Sequence, residues 1–321
     1  ADWPLFLIPM CPSRPSIKQE INRFSGIKQG RTFERKVSYM NRIAVVTDSA
    51  ASIPEEMAKE AGLEIVPMGV QINNKMYREG IDITKEEFYA HLDTAERITT
   101  SQPSPGDFLE VYERVAARAK EIISIHITGE GSGTVNTANL VKQYISIPIN
   151  VIDSRTASMG QGFIALAAGK AAKAGRSREE ILRVIDNMRD KTAVFVAVPT
   201  LKYLAKSGKI SSIKSLIANI LSIKPILGVK DGVVEVVDKA RSYPKALQRL
   251  ISLMEERFPT EPLNIAILHT NAPEKAEEFR AKVEERLRHA KVFIAEMGTA
   301  LAVHGGQGML GIAAYPAQES E

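Results

Sequence analysis

The stretch Glu121-Ile122-Ile123-Ser124-Ile125-His126-Ile127-Thr128-Gly129-Glu130-Gly131-Ser132-Gly133-Thr134 passes from a nearly continuous apolar run into a turn of glycines and small hydroxyls. An apolar run of this length reads as a strand buried on both faces, and residues 134–143 beyond it read as a helix. The same alternation recurs around it. Residues 42–46 form an apolar strand closed by Thr47-Asp48-Ser49, Pro54 opens a helix that Gly62 stops, and residues 64–72 and 149–153 read as further strands. Strands alternating with helices imply a parallel sheet covered on both faces.

Local signals fill the intervals. Asn73-Asn74 suits a turn, and Thr84 with Glu87 forms a capping box, as does Ser177 with Glu180. Pro105-Gly106-Asp107 begins a helix that places Phe108, Val111, Tyr112 and Val115 on one face. After Ser154 comes an alanine-rich helix through Ala172. A second series starts near Thr192: a strand over 193–198, a loop at Ser207-Gly208-Lys209 and an apolar helix over 211–223. Residues 225–229 and 233–237 read as a hairpin around Asp231-Gly232, followed by a helix over 243–258, a strand over 263–269, a helix over 273–288 and a last clear strand over 292–295. The expected architecture is α/β in two domains. Residues 40–155 form a three-layer α/β/α unit with a parallel sheet, and residues 156–318 a two-layer α/β unit with a mixed sheet. Residues 1–39, broken by Pro4, Pro9, Pro12 and Pro15 and lacking the n- and h-regions of a secretory signal, are expected to be a tail outside the fold; Met40 reads as the native start.

Composition removes several classes. The formal charge of +4 invites a nucleic-acid reading, but residues 1–39 hold seven basic and three acidic residues, which leaves 35 of each from residue 40 onward. A nucleic-acid binder needs a basic stripe on its folded body, so no nucleic-acid partner is expected. No run of eighteen apolar residues is present, so no stable membrane insertion is expected either. One cysteine, Cys11, precludes an intramolecular disulfide and suits a reducing, cytoplasmic setting.

Two runs carry the candidate site, Thr99-Thr100-Ser101-Gln102-Pro103-Ser104 and Gly129–Thr134. Each lies where a β-pattern gives way to a helical one, and ligands of open α/β sheets collect outside the carboxyl ends of the strands. Hydroxyl donors, close-approaching glycine backbone and a helix start suit a carboxylate or phosphate without any lysine or arginine. Ser132 lacks the flanking glycines of a nucleophile elbow, since Glu130 and Thr134 occupy those places. Gly306-Gln307-Gly308-Met309-Leu310-Gly311 matches a dinucleotide fingerprint formally, but too little chain follows it. His304 stands in a glycine-rich apolar segment where an imidazole could donate to an acid. Asp48 reads as an orienting group. No metal-ligand pattern and no cofactor motif are found.

The runs Val46-Thr47-Asp48-Ser49, Thr100-Ser101-Gln102-Pro103-Ser104, Ser132-Gly133-Thr134, Ile152-Asp153-Ser154, Ser158-Met159-Gly160-Gln161-Gly162, Ile223-Lys224-Pro225-Ile226-Leu227 and His304-Gly305-Gly306-Gln307-Gly308 together resemble the DegV family, the fatty-acid-binding subunits of bacterial fatty acid kinase. The resemblance implies a long-chain fatty acid such as palmitate buried between two α/β domains. Its carboxylate would meet Thr100 and Ser132 with His304 nearby, and Ser101, Gly133 and Thr134 complete the expected ligand-binding set. The chain would then be a carrier with no catalytic residue of its own, presenting the acid to the kinase's ATP-binding subunit. Ser207-Gly208-Lys209-Ile210 departs from the family's Gly-Gly-Arg-Ile, keeping a charge but not a bidentate fork. The competing reading is an enzyme acting on a small carboxylate or phosphorylated metabolite in the same cleft.

Overall fold

Four strands of the computed structural model make the parallel sheet that the alternation predicts. They are β1 (Ile43–Asp48), β2 (Leu63–Val66), β6 (Glu121–His126) and β7 (Ile149–Asp153), in the order β2-β1-β6-β7. The structure describes residues 43–207 and 223–317. The expected tail of residues 1–39, the Gly208-Lys209-Ile210 part of the loop and nearly all of the expected helix over 211–223 lie outside the described residues.

Helices cover both faces of this sheet, as binary patterning requires. On one side α3 (Pro105–Ala116) and α4 (Thr134–Val141) bury Phe108, Val111, Tyr112, Val115, Ala138 and Val141 against Val46, Val66 and Ile122. On the other lie α1 (Glu55–Ala61) and α5 (Met159–Lys173), with α6 (Arg178–Lys191) packed beside α5. Gly62 ends α1 at φ 70° with its amide on the carbonyls of Ala58 and Lys59, the left-handed cap that glycine adopts without a Cβ clash.

The expected single strand over 64–72 is two. Pro67 and Met68 interrupt β2, and the chain resumes as β3 (Gly69–Ile72) in a separate antiparallel sheet with β4 (Lys75–Arg78) and β5 (Ile98–Ser101), ordered β4-β3-β5. Asn73 makes the predicted turn at φ 52°. The Thr99-Thr100-Ser101 run therefore does not lie beyond a strand; it is β5 itself. The capping box of Thr84 and Glu87 starts α2 (Lys85–Leu92) as expected.

The later chain builds a six-stranded mixed sheet from β8 (Ala193–Ala197), β9 (Lys224–Lys230), β10 (Val233–Ala240), β11 (Leu263–His269), β12 (His289–Glu296) and β13 (Leu310–Pro316), in the order β10-β9-β8-β13-β11-β12. Only β11 and β12 pair in parallel. Helices α8 (Tyr243–Arg257) and α9 (Pro273–Arg286) cover one face. In this later part of the chain three elements were not anticipated: α7 (Lys202–Ser207), α10 (Thr299–Gly305) and β13, an inner strand of the sheet. One buried cluster joins Val45 and Ile123 of the first sheet to Val194, Ala266 and Ala313 of the second through Phe163, Ile164 and Ala168 of α5. The expected domain division at 155/156 falls just ahead of this shared helix. All described residues belong to one compact unit, Tyr39–Glu321.

Candidate functional site

Asp48, at the carboxyl end of β1, organises the floor of the site. Its Oδ1 accepts the amide of Ala50 at 3.1 Å, and its Oδ2 accepts the amide of Ile127 at 3.0 Å and meets Nδ1 of His126 at 2.9 Å. His126 Nε2 lies 2.7 Å from Ser124 Oγ, which accepts from the Tyr112 hydroxyl at 2.8 Å. With the proton on Nδ1, Nε2 accepts from Ser124 and every group in the chain is satisfied. Burial pushes the Tyr112 phenol above its ordinary range. Asp48, His126 and Ser124 have the connectivity of a hydrolase triad. All three are wholly buried and the serine is already engaged, so the chain fixes backbone and offers no nucleophile. Asp48 is thus an orienting group, and it orients Ala50 and Ile127, both part of the wall of a cavity.

That cavity, of about 190 Å³, brings together three of the six predicted site residues, Thr100, Ser132 and His304. Thr100 Oγ1 lies 3.1 Å from His304 Nε2. Ser132 stands in the loop after β6, its Oγ 2.8 Å from Thr134 Oγ1. The other three predicted residues do not line the wall. Ser101 follows Thr100 on the pleat, so its side chain takes the opposite face, where its hydroxyl meets Met76 Sδ at 3.7 Å. Gly133 is packed under the Gln102 side chain, and Thr134 is buried behind Ser132, its hydroxyl 3.8 Å from Met68 Sδ. Thr134 acts on Ser132 rather than on the cavity.

The rest of the wall is mostly apolar. Val194 and Val196 of β8, Leu227 and Val229 of β9, Val233 and Val234 of β10, and Met297, Leu301 and Met309 supply it; Glu130 also lines it, and among the described residues no lysine or arginine contributes. Ser158 also lines it, at φ 52° and ψ −145°, a conformation that costs a non-glycine residue of the order of 1–3 kcal/mol. The hairpin tip closes over the loop after β6: Thr128 Oγ1 donates to Gly232 O at 2.5 Å, and Arg155 Nη2 donates to Asp231 O at 3.2 Å.

His304 sits in the last turn of α10. The glycines follow it. Gly306 and Gly308, both at φ 80°, carry the chain from α10 into β13. Thr270 fastens this turn, donating to Gly306 O at 2.7 Å and accepting from the Met309 amide at 3.0 Å, while Tyr243 donates to Gly308 O at 2.6 Å. The fingerprint-like glycines are therefore the turn that ends the histidine helix. Among the described residues no cluster of three or more histidine, cysteine or acidic side chains could hold a metal ion. No helix among them is long and apolar enough to cross a membrane.

Comparison with known proteins agrees with this architecture. The family model described as an uncharacterised protein of the DegV family matches residues 42–317. A DegV domain-containing protein of Caldanaerobacter subterraneus is 33% identical over 275 residues, covering 85% of this chain and 98% of the relative. Among solved structures, a DegV family protein of Thermus thermophilus described as fatty-acid binding superposes with a TM-score of 0.79 at 31% identity, over 86% of this chain and 100% of that one. DegV of Bacillus subtilis, described as a fatty acid binding protein, gives 0.78 at 30% identity over 86% and 99%. A stearic acid-binding protein of Eubacterium ventriosum gives 0.76 at 25% identity over 85% and 98%. With the match spanning nearly all of the described fold, this chain belongs to the DegV family.

Proposed function

We propose that this chain is a long-chain fatty-acid carrier working in the cytoplasm, holding the acid's carboxylate with Thr100, Ser132 and His304 and its tail in the apolar cavity. The observation that carries this reading is the wall itself: hydroxyls and an imidazole from β5, the loop after β6 and α10, with Glu130 of that loop beside them, set among valines, leucines and methionines and, among the described residues, no lysine or arginine. Relatives described as fatty-acid binding, at 30–31% identity over nearly their whole length, support it.

Burying a sixteen-carbon tail at about 0.8 kcal/mol per methylene gives roughly 11 to 12 kcal/mol gross, enough to retain a sparingly soluble acid after ordering costs. Hydroxyls hold a carboxylate without neutralising it. One of its oxygens stays nucleophilic enough to attack the γ-phosphorus of ATP on the ATP-binding subunit of a partner kinase, breaking the β–γ bridge and yielding acyl phosphate and ADP. The carrier supplies position, and the kinase supplies the nucleotide. Calorimetric titration of protein freed of lipid by organic extraction tests the first half of this reading. Palmitate or oleate should bind with one site per chain and a negative heat-capacity change, whereas acetate and small phosphorylated acids should give no heat. Tight binding of the small acids with none of the long ones would support the enzyme reading instead.

A further inference from the structure

Glu79 follows β4 and lies outside the cavity wall, yet it holds parts of the wall that come from opposite ends of the chain. Its Oε1 accepts from the Thr299 hydroxyl at 2.8 Å and from the Ala300 amide at 2.9 Å, both in the first turn of α10. Its Oε2 accepts from the Ser49 hydroxyl, and that same hydroxyl oxygen accepts the Met68 amide at 2.9 Å. The Glu79 amide in turn donates to Met68 O at 2.9 Å. Ala50, next to Ser49, Met68 and Ala300 all belong to the cavity wall. Space at this junction is reserved: a Cβ on Gly298 would come within 2.5 Å of Glu79 Oε1 although its backbone, at φ −63°, would accept any residue.

Helix α10 has seven residues and an N-cap, Gly298, with no side chain to offer its free amides. Glu79 provides the missing acceptor from another sheet, and a carboxylate also suits the positive end of a helix. His304 lies one turn beyond Ala300 on the same short rod. Any shift of the first turn is therefore carried to the imidazole, and with it to the 3.1 Å contact with Thr100.

We propose that Glu79 is a positioning residue of the head-group site: its carboxylate sets α10 so that His304 and Thr100 face one acid group together. The functional part of this proposal rests on the fatty-acid reading above. The positioning part does not, and the test separates them. In ligand-free protein, Glu79→Gln should move the His304 ring resonances and its NMR titration midpoint while leaving those of His91 and His289 unchanged. In palmitate titrations, Glu79→Gln should weaken affinity about tenfold, the scale of one hydrogen bond to a charged group, while hexadecanol binding stays within about twofold. The loss caused by His304→Ala should largely vanish in the Glu79→Gln background, because both changes act on one contact.

Glu79→Asp, which keeps the charge, should recover part of the affinity. Thr299→Val, which removes one donor and leaves Glu79 in place, gives a milder form of the same changes if Glu79→Gln does not fold. A lowered melting temperature with unmoved His304 resonances and additive losses would overturn the proposal and leave Glu79 as a structural anchor. An extracted, ligand-free wild-type chain that takes up no palmitate would overturn the fatty-acid reading, while the His304 resonances would still decide whether Glu79 positions it.

Discussion

Thr100, on β5, and Ser132, in the loop after β6, reach the same cavity from different parts of the fold, which makes their cooperation measurable. Ser132→Ala should cost palmitate affinity about 1.5 to 3 kcal/mol, the scale of a hydrogen bond to an ionised group, with most of the tail's burial untouched. Paired with Thr100→Val in a double-mutant cycle, it should show a coupling above about 0.5 kcal/mol; strict additivity would mean that the two hydroxyls do not share one carboxylate. A second residue-scale outcome concerns stability. Burial holds the His269 imidazole below its ordinary value of 6.5, with the Glu296 carboxylate raising it and Lys85 lowering it less strongly. The unfolded chain then binds the proton more readily than the folded one. The stabilisation is complete above about pH 6.5 and is lost as pH falls through the depressed folded value. Melting temperatures between pH 7.5 and 5 should fall less steeply for His269→Gln than for the wild type, and parallel profiles would contradict this. At this scale the two hydroxyl runs stand out in the sequence because small hydroxyls cluster between apolar segments, while the family resemblance singled out Thr100, Ser132 and His304, which the structure brings to one cavity. The runs themselves did not distinguish Thr100 from Ser101, since only the pleat decides which of two neighbouring hydroxyls faces the cavity. Glu79 stayed hidden because nothing in Arg78-Glu79-Gly80 points to partners at 49 and 299.

Elements with local signals appeared where expected. The capping boxes at Thr84 and Ser177, the Gly62 stop and the Asp231-Gly232 hairpin depend on neighbours within a few residues, so their chemistry is written in the sequence. Elements fixed by distant contacts were missed. Gly311, Ala313 and Ala314 give β13 little intrinsic strand preference. The space between β8 and β11 nevertheless selects small residues, and a Cβ on Gly311 would lie 2.8 Å from Phe195 O. Strands β4 and β5, four residues each, are too short to show a period. The α10 to β13 connection also allows a direct test of the cavity wall. A Cβ on Gly305 would overlap the Met309 thioether, which lines the cavity. Gly305→Ala should drive that side chain inward, weaken hexadecanoate more than dodecanoate, and be relieved by adding Met309→Ala. Equal losses for both chain lengths, or no relief, would show that Met309 does not bound the tail.

Across the whole molecule, the parallel sheet, the mixed sheet and α5 between them share one buried cluster, and the candidate site opens where strand ends of the first sheet meet the valines of β8, β9 and β10. The alternation of strands and helices made the first sheet legible, because parallel strands and their covering helices follow from pattern alone. The strand order of the second sheet was not legible: β13 inserts between β8 and β11, a pairing across more than a hundred residues that no local rule specifies. A chain built around an apolar cavity with hydroxyl and imidazole groups in its wall should retain its ligand through purification. Native mass spectrometry of the purified protein, before and after organic extraction, tests this directly. A mass excess of one long-chain fatty acid per chain is expected, lost on extraction and restored by palmitate or oleate. Protein found only at the bare chain mass, and remaining there after incubation with either acid, would contradict the carrier reading.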